Sequence, residues 1–171
     1  GEIMLHDGLL LLSPGLKLAI AGILLLAAAH DIMIRTVPNW MPLWLGILGT
    51  ALAAIEFRLV WGLGFGLTVF ALCLVFWWRG WMGGGDVKLL GATAIVIAPA
   101  AAGSFLLAVS LSGGVLAMAY LAGRVLLPRP TVRRPTRLLP RVLRVEAWRI
   151  HHRGPLPYAC AIAAGTIFVL S

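Results

Sequence analysis

Residues 60–78 read VWGLGFGLTVFALCLVFWW, a run with no charged side chain, flanked by Arg58 and Arg79. Wound as an α-helix at 1.5 Å per residue, this run is about 29 Å long, close to the thickness of a bilayer's hydrocarbon core. Trp61 and the Trp77-Trp78 pair stand at its two ends, where aromatic side chains anchor a helix at the membrane interface. The stretch therefore reads as a transmembrane helix.

The rest of the chain agrees. Of its 171 residues, 61% are hydrophobic and 12% charged, and the mean hydropathy is +0.98. A soluble domain of this length has too little interior to hide so much apolar surface, whereas a bilayer has no need to hide it. Further apolar runs predict helices over residues 16–30, 41–55, 87–98, 104–127 and 155–170, with 87–98 stopped by Pro99. The expected fold is an all-α polytopic integral membrane protein of about six transmembrane helices, in one domain. No repeat of 20–50 residues is visible. The first apolar run is needed as a helix, so no cleavable signal peptide is expected.

Net charge is +8, from 14 Lys+Arg against 6 Asp+Glu. Nucleic-acid binding and the positive-inside bias of membrane proteins both produce such an excess. The placement of the charges decides between them. Only Lys17 and Arg58 fall with the outer loops. Arg35, Arg79, Lys88, Arg124 and the eight arginines from Arg129 to Arg153 all fall on the other side. That side is then cytoplasmic, both termini face outward, and no nucleic-acid partner is expected. Within the basic stretch 128–153, residues 138–150 place Leu138, Leu139, Val142, Leu143 and Val145 on one helical face and Arg137, Arg141, Arg144 and Trp148 on another. This suits a helix lying on anionic lipid, and equally an ordinary positive-inside loop.

Two cysteines, Cys73 and Cys160, sit in apolar runs and are expected to be buried, inert thiols. No CxxC pair exists, His151 and His152 have no evident third ligand, and neither metal nor cofactor is expected. Gly113, Gly114 and Gly123 suit close helix packing. Trp40 and Trp44 suit an interfacial belt.

Carboxylates are few. Glu2 and Asp7 are near the start, Glu56 closes an outer helix end, and Glu146 lies among arginines. Asp31 and Asp86 remain, both at membrane boundaries on the same side, one at the end of the first helix and one at the start of the fourth. Acids at a membrane are costly and mark function by default. Two carboxylates can hydrolyse a peptide bond without metal or covalent nucleophile: one, ionised, takes a proton from water, and the other, protonated, donates to the carbonyl oxygen. Sharing a site keeps them in different protonation states, because two close like charges resist ionising together. From spacing alone, however, Asp86 can equally cap its helix and Asp31 can equally be a solvated loop residue. Gly83, Gly84 and Gly85 before Asp86 allow close backbone approach and φ > 0. Lys88 can bias the charge of the pair or bind a lipid phosphate. Pro38 and Asn39 suit the turn into the second helix, and His30 adjoins Asp31.

Taken in order, these segments resemble the signatures of the type IV prepilin peptidases. Asp31 followed by Arg35-Thr36-Val37-Pro38-Asn39 resembles the first, and Gly83-Gly84-Gly85-Asp86-Val87-Lys88-Leu89 resembles the second, the GxGD motif shared in outline with presenilin-like intramembrane proteases. Residues 156–165, LPYACAIAAG, resemble the family's last helix, with Ala159 where glycine is common. Ala159 is far from either acid in sequence, so no part in the chemistry is expected of it. The short chain, without a cysteine-rich cytoplasmic insert, looks like the compact branch serving Flp-type pili. The resemblance implies catalytic Asp31 and Asp86, and a prepilin substrate with a basic leader and an apolar first helix. It implies cleavage after a Gly at the cytoplasmic face of the bacterial inner membrane, without N-methylation. Anionic lipid at the arginines from Arg129 to Arg153 is the other expected partner. The alternative is a small proton- or ion-coupled carrier with Asp31 and Asp86 as relays.

Overall fold

A computed structural model describes Gly8 and residues 11–126 and 156–170. The basic stretch 128–153, open to a lipid-surface helix or an ordinary loop, the acids Glu2, Asp7 and Glu146, and the Arg124 side chain lie outside the described residues. The described chain forms six α-helices: α1 Ser13–Ile34, α2 Trp40–Ile55, α3 Leu59–Trp78, α4 Gly84–Ile95, α5 Ala102–Leu126 and α6 Tyr158–Leu170, with one 3₁₀ turn at Pro99–Ala101. No strand occurs among these residues. The protein is a helical membrane protein.

Length divides the helices into two sets. α1, α3 and the segment Pro99–Gly123 are each long and apolar enough to cross a bilayer. The others are shorter, at 16 residues for α2, 12 for α4 and 13 for α6. The two shortest lie innermost. α4 packs against α2, α3 and α6, and α6 against α1, α4 and α5. The long helices present Leu18, Leu67 and Leu111 outward, each well exposed, as lipid contact requires. Close approach needs small residues where helices touch. On α3, a Cβ at Gly62 would stand 2.8 Å from the Ile95 carbonyl oxygen, so glycine there seats α4 directly against α3. Between α5 and α6 the tight position is Gly165 against Val109, whereas Gly113 makes only ordinary contact with Ala161 and Gly114 faces open space. The close packing expected of Gly113 and Gly114 is thus supplied by another residue.

Three boundaries differ from expectation. α1 does not stop at Asp31. It runs another turn to Ile34 and closes at Arg35, whose backbone is left-handed (φ 61) and whose N–H donates to the Asp31 carbonyl at 2.9 Å. α4 starts earlier, at Gly84, and ends at Ile95. Pro99 forces Ala98 into an extended conformation (ψ 154), and Val96 and Ile97 donate instead to the carbonyls of Thr93 and Ala94. α6 starts at Tyr158, after Pro157. Cys73 is buried as expected, but Cys160 is only half-buried, its Sγ 3.7 Å from the Ala28 carbonyl oxygen.

The chain is buried where α4 ends, at Val96 and Ile97, and the last carbonyls of the helix need partners there. Arg58, at the start of α3, supplies them. Its Nη2 donates to the Val96 carbonyl at 2.7 Å, and its Nη1 to those of Ile95 at 3.1 Å and Ile97 at 3.3 Å. The Trp61 indole also donates to Ile97, at 3.2 Å. Arg58 Nε meets Glu56 Oε2 at 2.7 Å, and Lys17 Nζ meets Glu56 Oε1 at 3.1 Å. Burial alone would raise the Glu56 carboxyl, but hydrogen bonds and charge from Arg58 and Lys17 outweigh it and hold the group below its ordinary value. The two basic residues at this end are thus tied to one acid and to the end of α4. The ends of α1, α3 and α5 and the starts of α2, α4 and α6 gather at the opposite end.

Candidate active site

At that opposite end a cleft of about 570 Å³ opens, lined by Asp31, Asp86 and Arg35, by Gly80 to Gly83 in the α3–α4 turn, and by Leu156 and Tyr158. The two acids are far apart in sequence and on different helices, yet they face one space. Asp31 is 5% exposed. It sits inside α1 and is buried, so it is not the solvated loop residue that spacing alone allowed. Asp86 lies in the first turn of α4, behind an N-cap at Gly83 that makes no side-chain capping bond. Asp86 therefore does not occupy the capping position.

The α3–α4 turn places Asp86 by local chemistry. α3 ends in a Schellman arrangement: Gly80 is left-handed (φ 73), its N–H donates to the Trp77 carbonyl at 2.9 Å, and the Trp81 N–H donates to the Phe76 carbonyl at 2.9 Å. The Trp81 and Phe76 rings meet with centroids 5.9 Å apart, the apolar contact that accompanies this motif. The reversed chain then enters α4 through Gly83, Gly84 and Gly85. None of these three has φ > 0, so the freedom of φ expected of them is not used. Their use is proximity. A Cβ on Gly83 would lie 3.0 Å from Asp86 Oδ2, one on Gly84 would lie 3.3 Å from the Trp77 indole nitrogen, and one on Gly85 would lie 3.2 Å from Val37 Cβ. The last contact joins the two acid-bearing segments, because Val37 belongs to the α1–α2 connection.

Lys88 and Asn39 reinforce that junction. Lys88 Nζ donates to Asn39 Oδ1 at 3.0 Å, so α4 is fastened to the start of α2. Asn39 occupies the N-cap position of α2 without a capping side-chain bond, and the Met41 N–H donates to the Pro38 carbonyl at 3.1 Å. Lys88, Asn39, Pro38, Gly84 and Gly85 do not line the cleft with the acids, whereas Gly83 does. His30 is turned to the Thr36 carbonyl, with Nδ1 2.6 Å from that oxygen.

Two contributions escaped the sequence reading. The backbone N–H of Ala159 donates to Asp31 Oδ2 at 3.2 Å. Its remoteness in sequence had argued against any part near the acids, but α6 returns beside α1 and brings its first turn onto Asp31. The N–H groups of a helix's first turn lack partners within the helix and carry its positive dipole end, a good setting for a carboxylate. The partner is a main-chain group, so only the fold reveals it. The second is Arg35, which lines the cleft and donates from Nη2 to the Tyr120 hydroxyl of α5 at 2.5 Å. Its guanidinium also lies over the Tyr120 ring, 5.4 Å from the centroid.

This arrangement, two carboxylates facing one cleft, can activate water. The type IV leader peptidase family model matches residues 18–118, more than half of the chain, and its span includes both acids. No curated protein and no solved structure matches the chain.

Proposed function

From the type IV leader peptidase family, to which this chain belongs, we propose a membrane aspartic endopeptidase that removes the basic leader of a prepilin, of the Flp type. The observation that carries this reading is the single cleft shared by Asp31 and Asp86. One carboxylate, ionised, takes a proton from a water molecule, whose oxygen bonds to the scissile carbonyl carbon. The other, protonated, gives its proton to the carbonyl oxygen. Collapse of the tetrahedral intermediate breaks the C–N bond, and the leaving nitrogen receives a proton from the pair. Each cleavage consumes one water and forms no acyl-enzyme.

The scissile bond follows a Gly where the substrate's leader meets its apolar helix. On this reading the protein lies in a bacterial inner membrane, and the positive-inside distribution supports an acid-bearing end in the cytoplasm with both termini outside. Peptidase activity alone is assigned, without methyl transfer.

The test is cleavage of a Flp-type prepilin by the purified protein in lipid, beside Asp31→Asn and Asp86→Asn. Loss of a leader-length mass with the wild type, and none with either variant at equal membrane insertion, is the expected outcome. A fully active Asn variant would remove the two-carboxylate mechanism.

A further inference from the structure

The segment that carries Asp31 also carries Arg35, and the two-carboxylate reaction by itself gives that arginine no part. Three features of its placement are unusual. Its backbone is left-handed (φ 61) at the end of α1, a position where glycine is the default and a side chain is strained. Its side chain lines the same cleft as Asp31 and Asp86. Its guanidinium is aimed from a second helix, by a hydrogen bond from Nη2 to the Tyr120 hydroxyl and by stacking over the Tyr120 ring.

Ending a helix needs none of this, since the bond from the Arg35 N–H to the Asp31 carbonyl would serve equally with glycine. Tying α1 to α5 accounts for Tyr120 but not for a cation in the acids' cleft. Charge accounts for both. Two carboxylates facing one partly apolar space repel, and a fixed cation among them offsets that repulsion. Arginine suits the task because it stays charged at any working pH and its planar group stacks on an aromatic ring. Among the described residues, the other titratable side chains lining the cleft are Asp31 from α1, Asp86 from α4 and Tyr158 from α6, and none of these is a cation.

Building on the peptidase reading, we propose that Arg35 is a positioning residue for the acid pair. Its guanidinium, held by Tyr120, is the fixed positive charge that lets one carboxylate ionise beside a partner that keeps its proton.

The test replaces Arg35 by glycine, the residue its backbone prefers, and measures prepilin cleavage by the purified protein in lipid. Arg35→Gly should retain or gain thermal stability while kcat falls about a hundredfold, the scale on which a preorganised electrostatic partner acts. KM should change little. Millimolar methylguanidinium should restore part of the lost rate, and Arg35→Lys should retain more activity than Arg35→Gly. Tyr120→Phe, which keeps the ring and leaves the α1 backbone untouched, should lose about tenfold, the value of one hydrogen bond to a charged group. A purely structural arginine would give no chemical rescue. Arg35→Gly cleaving at the wild-type rate beside an active wild type overturns this proposal alone, as does a loss that neither methylguanidinium nor lysine repairs. A wild type that cleaves no prepilin overturns the peptidase reading and this proposal with it.

Discussion

Replacing Arg58 by methionine tests the account of how a helix as short as α4 is accommodated. Methionine keeps much of the volume and removes every donor. The side chain of Arg58 is 9% exposed and that of Glu56 20%, so the pair is largely shielded from water. Removing one partner of a buried pair costs about 3–5 kcal/mol, because the other charge is left uncompensated. Two observations moderate this. Lys17 remains 3.1 Å from Glu56, and Trp61 still donates to the Ile97 carbonyl. Against them, the carbonyls of Ile95 and Val96 lose the donor that Arg58 gave them, at about 1–3 kcal/mol for each buried group left unsatisfied. The expected net loss is about 3 kcal/mol, at the lower end of the buried-pair range. Arg58→Lys keeps the charge but cannot fork to three carbonyls, and should lose about 1–2 kcal/mol. Glu56→Gln leaves the carbonyl contacts intact and should cost least. Unfolding in mixed micelles, followed by near-ultraviolet dichroism, would rank the three variants. Arg58→Met within about 1 kcal/mol of wild type, or Glu56→Gln as the worst of the three, would refute the capping argument. Activity gives a second check. Asp86 is near the other end of α4, nine residues or about 14 Å along the axis from Ile95, so folded Arg58→Lys should cleave at near the wild-type rate.

Two further outcomes follow from the same contacts. Glu56 is held below its ordinary value, so its ionised partnership contributes stability above the unfolded value of 4.5 and loses it as pH falls through the lower folded value. The wild type should therefore lose stability on acidification below about that pH, and Glu56→Gln should lose distinctly less; parallel curves would contradict the ion-pair account. Gly83→Ala should disturb the acid rather than the fold. Its backbone (φ −71, ψ 144) accepts alanine, but the new Cβ would lie 3.0 Å from Asp86 Oδ2 and displace the carboxylate. Cleavage should fall about tenfold with unfolding unchanged, since small misplacements at a reacting group are costly. A variant as active as wild type would mean that the present position of Asp86 is not the working one.

α4 explains best why some features were legible in the sequence and others were not. Its apolar run, its acid and its glycines are all visible there. Its bounds are not: the 12 residues expected at 87–98 stand instead at 84–95, because the Pro99 effect reaches back through Ala98 and Arg58 takes the carbonyls at the earlier end. The glycines illustrate a subtler limit. Their presence announces either positive φ or close approach, and only the neighbours Asp86, Trp77 and Val37 identify the second. Lys88 was open to two readings as a charge, and the fold gives it a third, a bond to Asn39.

Hydropathy and charge along the chain set the membrane class, the six helices and the candidate acids. Hydropathy and helix-stopping residues act over a few neighbouring positions, so they can be read along the chain. The tertiary structure alone decided what surrounds the acids. It placed Asp31 within α1 and buried it, brought the Ala159 N–H onto it from 128 residues away, and set Arg35 under the control of Tyr120, 85 residues distant. A main-chain donor looks the same at every position of a sequence. Which one meets a carboxylate depends on how α1, α4, α5 and α6 pack, and that is settled by contacts between distant segments.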